Sequence, residues 1–84
     1  MKIEEAFGRA LREARVSAGL SQAGLALRCG CNVMSISKLE RGLTQPSLQF
    51  MILLSKGLEV EVVELLEDTL VHNPEVEMPK APLH

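Results

Sequence analysis

Aromatic side chains are scarce in this chain, with two Phe, no Trp and no Tyr against a hydrophobic content of 46%. A core must then be built from Leu, Ile, Val, Ala and Met, the residues of packed helices, and strands are poorly served. Cysteine is equally sparse. Cys29 and Cys31 flank Gly30, too close for an unstrained structural disulfide and without the second pair a zinc site needs, so both are expected to be buried thiols. His72 and His84 are far apart and follow no ligand spacing, so no metal and no other cofactor is expected. No apolar run approaches the roughly 20 residues that span a bilayer. Met1–Phe7 is acidic rather than a basic leader, and the expectation is a cytoplasmic protein with no membrane partner. Also missing are a nucleophile–base pair, a pair of carboxylates in a cleft and a phosphate-cradling glycine loop, while Ser35 and Ser37 have no His to activate them. An enzyme is not expected.

What is present is short and electrically divided. At 84 residues there is room for one domain, or for half of an obligate dimer. The formal net charge of −2 argues against a nucleic-acid partner until the chain is split. Residues 1–45 carry seven basic side chains (Lys2, Arg9, Arg12, Arg15, Arg28, Lys38, Arg41) against Glu4, Glu5, Glu13 and Glu40, a balance of +3. Residues 46–84 carry Lys56 and Lys80 against seven acids (Glu59, Glu61, Glu64, Glu67, Asp68, Glu75, Glu77), a balance of −5. The asymmetry permits a DNA-facing half, although an ordinary solvated surface gives the same pattern.

Periodicity predicts five helices. Ile3, Phe7, Leu11 and Ala14 recur at helical spacing to about Ala18, with Glu5, Arg9 and Glu13 as a charge ladder on another face. Gly19 ends that helix, and Ser21 caps a second running to about Cys29, with Leu25, Ala26 and Cys29 facing inward. Gly30 stops it, Asn32 caps a third from Val33 to about Arg41, and Gly42 closes the third. Pro46-Ser47 opens a fourth, whose buried stripe is expected at Leu48, Met51, Ile52, Leu54, Ser55 and Leu58, with Gly57 fraying its end. A fifth, from about Glu61 to Val71, spreads Val62, Val63, Leu65, Leu66 and Leu70 over more of its circumference than one packed face needs, so part of it awaits a partner. The expected organisation is a DNA-binding and dimerisation domain over 1–72 and an extended Pro-rich tail over 73–84, which contains Pro74, Pro79 and Pro82.

Two short helices joined by a glycine-containing turn form the unit whose second helix enters the major groove of B-DNA, though many helical hairpins never touch DNA. The particular residues say more. Gly19-Leu20-Ser21-Gln22, Leu25-Ala26, Gly30, Ile36-Ser37, Glu40-Arg41-Gly42 and Pro46-Ser47-Leu48 stand at the spacings of the lambda-repressor-like, Cro/C1 or XRE-type regulators, and residues 7–66 resemble that family. The resemblance implies an all-α, five-helix fold with the helix-turn-helix at helices 2 and 3. It implies DNA-backbone contact for Gln22, a phosphate near Asn32, base-edge positions for Val33, Met34, Ser35 and Lys38, and backbone tracking by Arg41, Thr44 and Gln45. Ser37 is a further exposed hydroxyl on the same helix. Val33 and Met34 depart from the polar residues common at their positions; they suit thymine methyl groups, and core packing is the alternative for Met34. Lys38 suits guanine O6 or N7, or a phosphate. Arg15 and Glu40 are placed by the resemblance as a structural ion pair beneath the motif.

A single recognition helix reads only a few base pairs, so a homodimer on a palindromic operator is expected, with Leu65, Leu66 and Leu70 as main contacts, Val62 alongside and Phe50 beneath. The layout resembles restriction-modification controller proteins and also compact phage repressors; the stretch KGLEVEVVELLEDTL is similar to the controllers' C-terminal half, which implies autoregulation of the chain's own promoter. A tetramer on paired sites and contact with RNA polymerase, through acids near helices 2 to 4, are further partner expectations. Two other readings stay open: an antitoxin whose tail wraps a toxin, and an interaction module that kept the fold without DNA binding.

Overall fold

The computed structural model describes residues 1–73, so the expectation of an extended tail lies, apart from Asn73, outside the described residues. Five helices and no strand are found among them: α1 (Ile3–Ser17), α2 (Gln22–Cys29), α3 (Val33–Glu40), α4 (Leu48–Leu58) and α5 (Val62–His72). Their boundaries follow local chemistry. The Ser21 hydroxyl accepts from the Gly24 N–H, the Asn32 side chain from Met34 N–H and the Ser47 hydroxyl from Phe50 N–H, each occupying a donor the first helical turn leaves open. Gly19, Gly30 and Gly42 all hold positive φ at the chain reversals that follow α1, α2 and α3.

The chain packs α1 chiefly on α5 and α3, α2 on α3 and α4, and α4 on α5. The core comprises Phe7, Leu11, Leu25, Ala26, Ile36, Leu39, Leu54, Leu58 and Leu65, so every helix contributes to one apolar cluster. Two glycines within helices set how closely their neighbours approach. A Cβ on Gly8 would stand 2.4 Å from the Leu39 carbonyl oxygen, because α1 crosses directly over the end of α3. A Cβ on Gly57 would meet Cys29 Sγ at 2.8 Å and Leu25 at 3.3 Å, where α4 lies against α2.

Several expectations need correction. Gly57 does not fray α4; it is buried, and the helix runs on to Leu58 with Glu59 taking the left-handed turn at φ 58°. Burial against α2 favours the missing side chain at Gly57 more than a helix end there would. Leu48 and Ile52 are exposed, so the buried stripe of α4 is narrower and shifted to Leu54, Ser55 and Leu58. The charge ladder of α1 does not form as drawn. Glu5 instead accepts from the Lys2 backbone N–H, and Glu13 pairs with His72 of α5, because cap and tertiary partners are nearer than Arg9. Cys29 and Cys31 are free and only half-buried, packed against the core's edge. Desolvation pushes both thiols above their ordinary pKa, with the neighbouring Cys31 adding to the effect at Cys29, so they stay protonated near neutrality.

Candidate nucleic-acid interface

The placement of α3 rests on one polar cluster. Arg15, in the last turn of α1, grips Glu40 at the end of α3 with two parallel hydrogen bonds, Nε to Oε2 at 2.6 Å and Nη2 to Oε1 at 2.9 Å. Its third nitrogen, Nη1, donates to the Leu20 carbonyl at 2.8 Å in the turn before α2. Gln22, the first residue of α2, donates from Nε2 to the same Glu40 Oε1 at 3.0 Å. The side chains of Arg15 and Glu40 are only 12% and 4% exposed, so water competes little for these bonds. The hydrogen bond to Glu40 is the main cause of a raised Arg15 pKa, and the guanidinium is charged at every accessible pH. Three helices and the turn between two of them are thus tied at one point. The ion pair expected from the resemblance is present, and Gln22 joins it.

Fixed in this way, α3 turns Ile36 and Leu39 into the core and carries Val33, Met34 and Lys38 outward. Met34 is 52% and Val33 40% exposed, which removes core packing as the account of Met34. Ser35 and Ser37 are half-buried at the helix edges. Asn32 spends its side-chain oxygen on capping Met34 N–H. Arg41 lies just past α3, exposed, with Nε donating to the Ser37 carbonyl at 3.4 Å, and exposed Thr44 and Gln45 follow in the loop before α4. Ser35, Lys38, Thr44 and Gln45 share the wall of one open hollow. The DNA-contact residues named from the sequence therefore form one surface: α3, the loop after it and the start of α2.

The expected dimer contacts divide. Leu66 and Leu70 are about half exposed and Val62 is half-buried on α5, as a partner-facing surface requires. Leu65 does not belong with them: it is 1% exposed and one of the largest core side chains. The next residue along a helix lies about 100° round, which turns Leu65 inward where Leu66 faces out. Phe50 packs on the core cluster that includes Leu65 and also lines the hollow beside Ser35 and Lys38. Other apolar groups were not foreseen. Ile3, Met51, Leu66 and Leu70 together line an open apolar hollow of about 390 Å3. Arg12 was also missed, although its place three residues before Arg15 set it one turn away on α1, beside Gln22 and Arg41. Of the acids near helices 2 to 4, Glu40 is held by Arg15, while Glu59 at the end of α4 is exposed.

A recognition-type helix braced against a capped helix of equal length defines a helix-turn-helix DNA-binding protein. The helix-turn-helix family model (HTH_3) matches residues 11–65, and the chain belongs to that family. Within it, the chain is similar to control protein C.BamHI of Bacillus amyloliquefaciens, 37% identical over 70 residues that make up 82% of this chain and 86% of that protein. It is 43% identical over 62 residues, 73% of its length, to the HTH-type transcriptional regulator SlrR of Bacillus subtilis strain 168, of which it spans 41%. Its fold superposes on the restriction-modification controller protein C.AhdI from Aeromonas hydrophila with a TM-score of 0.72 and 37% identity, covering 74% of this chain and 94% of that one. No helix among the described residues is long and apolar enough to cross a membrane.

Proposed function

We propose that this protein is a non-catalytic transcription regulator that binds double-stranded operator DNA as a homodimer and acts on its own promoter, in the manner of a restriction-modification controller. The observation that carries this reading is the bidentate Arg15–Glu40 bridge with Gln22, which holds α3 so that Val33, Met34 and Lys38 project from one face. Gln22, Asn32, Arg41, Thr44 and Gln45 surround that face and suit phosphate contact, while Val33 and Met34 suit thymine methyl groups and Lys38 a guanine edge or a phosphate. The similarity to two controller proteins over most of their length favours the autoregulatory role. The same relatives give the antitoxin alternative no support.

Dimerisation would bring Leu66 and Leu70 of each copy together, with Val62 at the margin and exposed Ile3 extending the apolar area. Two such dimers on adjacent sites would form a tetramer. Activity of this kind places the protein in the cytoplasm, where the operator is. Titration of the purified protein on about 100 base pairs upstream of its own gene, at two salt concentrations, tests the whole reading. A shift that weakens with salt and in a Lys38→Ala variant is the expected result; no shift at micromolar protein would reject DNA binding and favour an interaction module.

A further inference from the structure

Beside the interface just described lies a polar hollow of about 190 Å3 whose lining the DNA-binding reading uses only in part. Arg12, Arg15, Gln22, Glu40 and Arg41 form its walls. Three arginines and one glutamate line it, and the Glu40 carboxylate is already satisfied. Glu40 accepts from Arg15 through both oxygens and from Gln22 through one. Arg12 is exposed and takes part in no hydrogen bond or ion pair among the described residues. Its nearest acid in sequence, Glu13, is turned away to His72. The start of α2 opens onto the same hollow through Gln22, and its Ser21 cap occupies only the Gly24 N–H.

We infer that Arg12 is a phosphate-binding residue, which with Arg41 seats one phosphate of the operator backbone in this hollow, at the edge of each half-site. The inference rests on the DNA-binding reading and extends the interface across α1, an element not assigned to it. Arg12 stands on α1 one helical turn from a rigid bridge, its unpartnered guanidinium can offer a phosphate two parallel donors, and the excess positive charge favours an anion over a second cation. Sequence preference would not change, since a phosphate carries no base information. Arg9, a turn earlier on the same exposed side of α1, lies outside the hollow and serves as the comparison.

The test is the salt dependence of binding to the duplex that the wild-type protein retards, for wild type, Arg12→Gln, Arg12→Lys and Arg9→Gln. For a dimer, Arg12→Gln is expected to lower the slope of log K against log salt by about 1.8, or 0.9 per protomer. That corresponds to about eightfold weaker binding per protomer at 0.1 M salt. Ethylation interference should lose one phosphate at each half-site edge, and the order of preference among operator variants should stay the same. Arg12→Lys should recover most of the slope, which separates lost charge from lost folding. An unchanged slope in Arg12→Gln, or an equal fall in Arg9→Gln, overturns the inference while leaving DNA binding intact. Failure of wild type to retard any duplex overturns both.

Discussion

The α1–α3 part of the molecule and the α4–α5 part are held and finished by different forces. Around α3 the decisive contacts are directional: a two-bond ion pair at 2.6 and 2.9 Å, side-chain caps, and a carbonyl accepting the third guanidinium nitrogen. Around α5 the packing is mainly apolar, with the Glu13–His72 pair and the Asn73 bond to the Met1 carbonyl confined to its C-terminal end, and the surface is left incomplete, with Val63, Leu66, Leu70 and Val71 all substantially exposed. Directional bonds specify an orientation, as a helix that must enter a groove requires. Apolar surface specifies only that something should cover it. One region is therefore finished within the monomer and the other suits completion by a second copy.

The contrast is broken most severely at Arg15. Arg15→Ala would leave the Glu40 carboxylate nearly buried without its partner, a loss of about 3 to 5 kcal/mol in stability. Urea unfolding should show that loss, and operator binding should vanish before the fold does. An unchanged midpoint would mean the bridge contributes little to the position of α3.

Adjacent leucines of α5 sharpen the comparison from the other side. Leu65→Ala removes core volume and should cost about 2 to 5 kcal/mol in the same unfolding experiment. Leu66→Glu should change monomer stability by no more than about 0.5 kcal/mol. It should nevertheless shift sedimentation to a monomer and weaken operator binding more than tenfold. If Leu66→Glu still sediments as a dimer, the α5 face is not the dimer contact.

Gly8→Ala asks whether close approach matters as much as the ion pair. Its methyl group would collide with the Leu39 carbonyl, and about 1 to 3 kcal/mol of stability should be lost as α1 lifts from α3. The smallest effect belongs to the α4–α5 turn. Glu59→Gly relieves a left-handed backbone that costs a non-glycine residue about 1 to 2 kcal/mol. After the added flexibility of glycine in the unfolded chain, a net gain of about 0.5 kcal/mol is expected in thermal melts.

Residues whose role depends on near neighbours were legible in the sequence. Ser21, Asn32 and Ser47 cap because their own side chains reach backbone donors two or three residues on, and Ile36 and Leu39 turn inward by helical period alone. Val33, Met34 and Lys38 were named as base-edge positions by the resemblance, with core packing open for Met34, and all three are exposed. The Arg15–Glu40 pair was a different matter, since 25 residues separate the partners; a resemblance to known regulators named it, not periodicity.

By itself, then, the sequence determined five helices, the side-chain caps that open α2, α3 and α4, the three-residue turn between α2 and α3, and the inward face of α3, all consequences of interactions within a few residues. Only the tertiary structure decided the rest. It turned Leu65 into the core and left Leu66 outside, carried α4 past Gly57 to a strained Glu59, diverted Glu13 to His72, and joined Gln22 to Glu40 beneath the motif. Each of these depends on which helix lies opposite and how near, and that distance is set by the packing of the whole core rather than by any local stretch of chain.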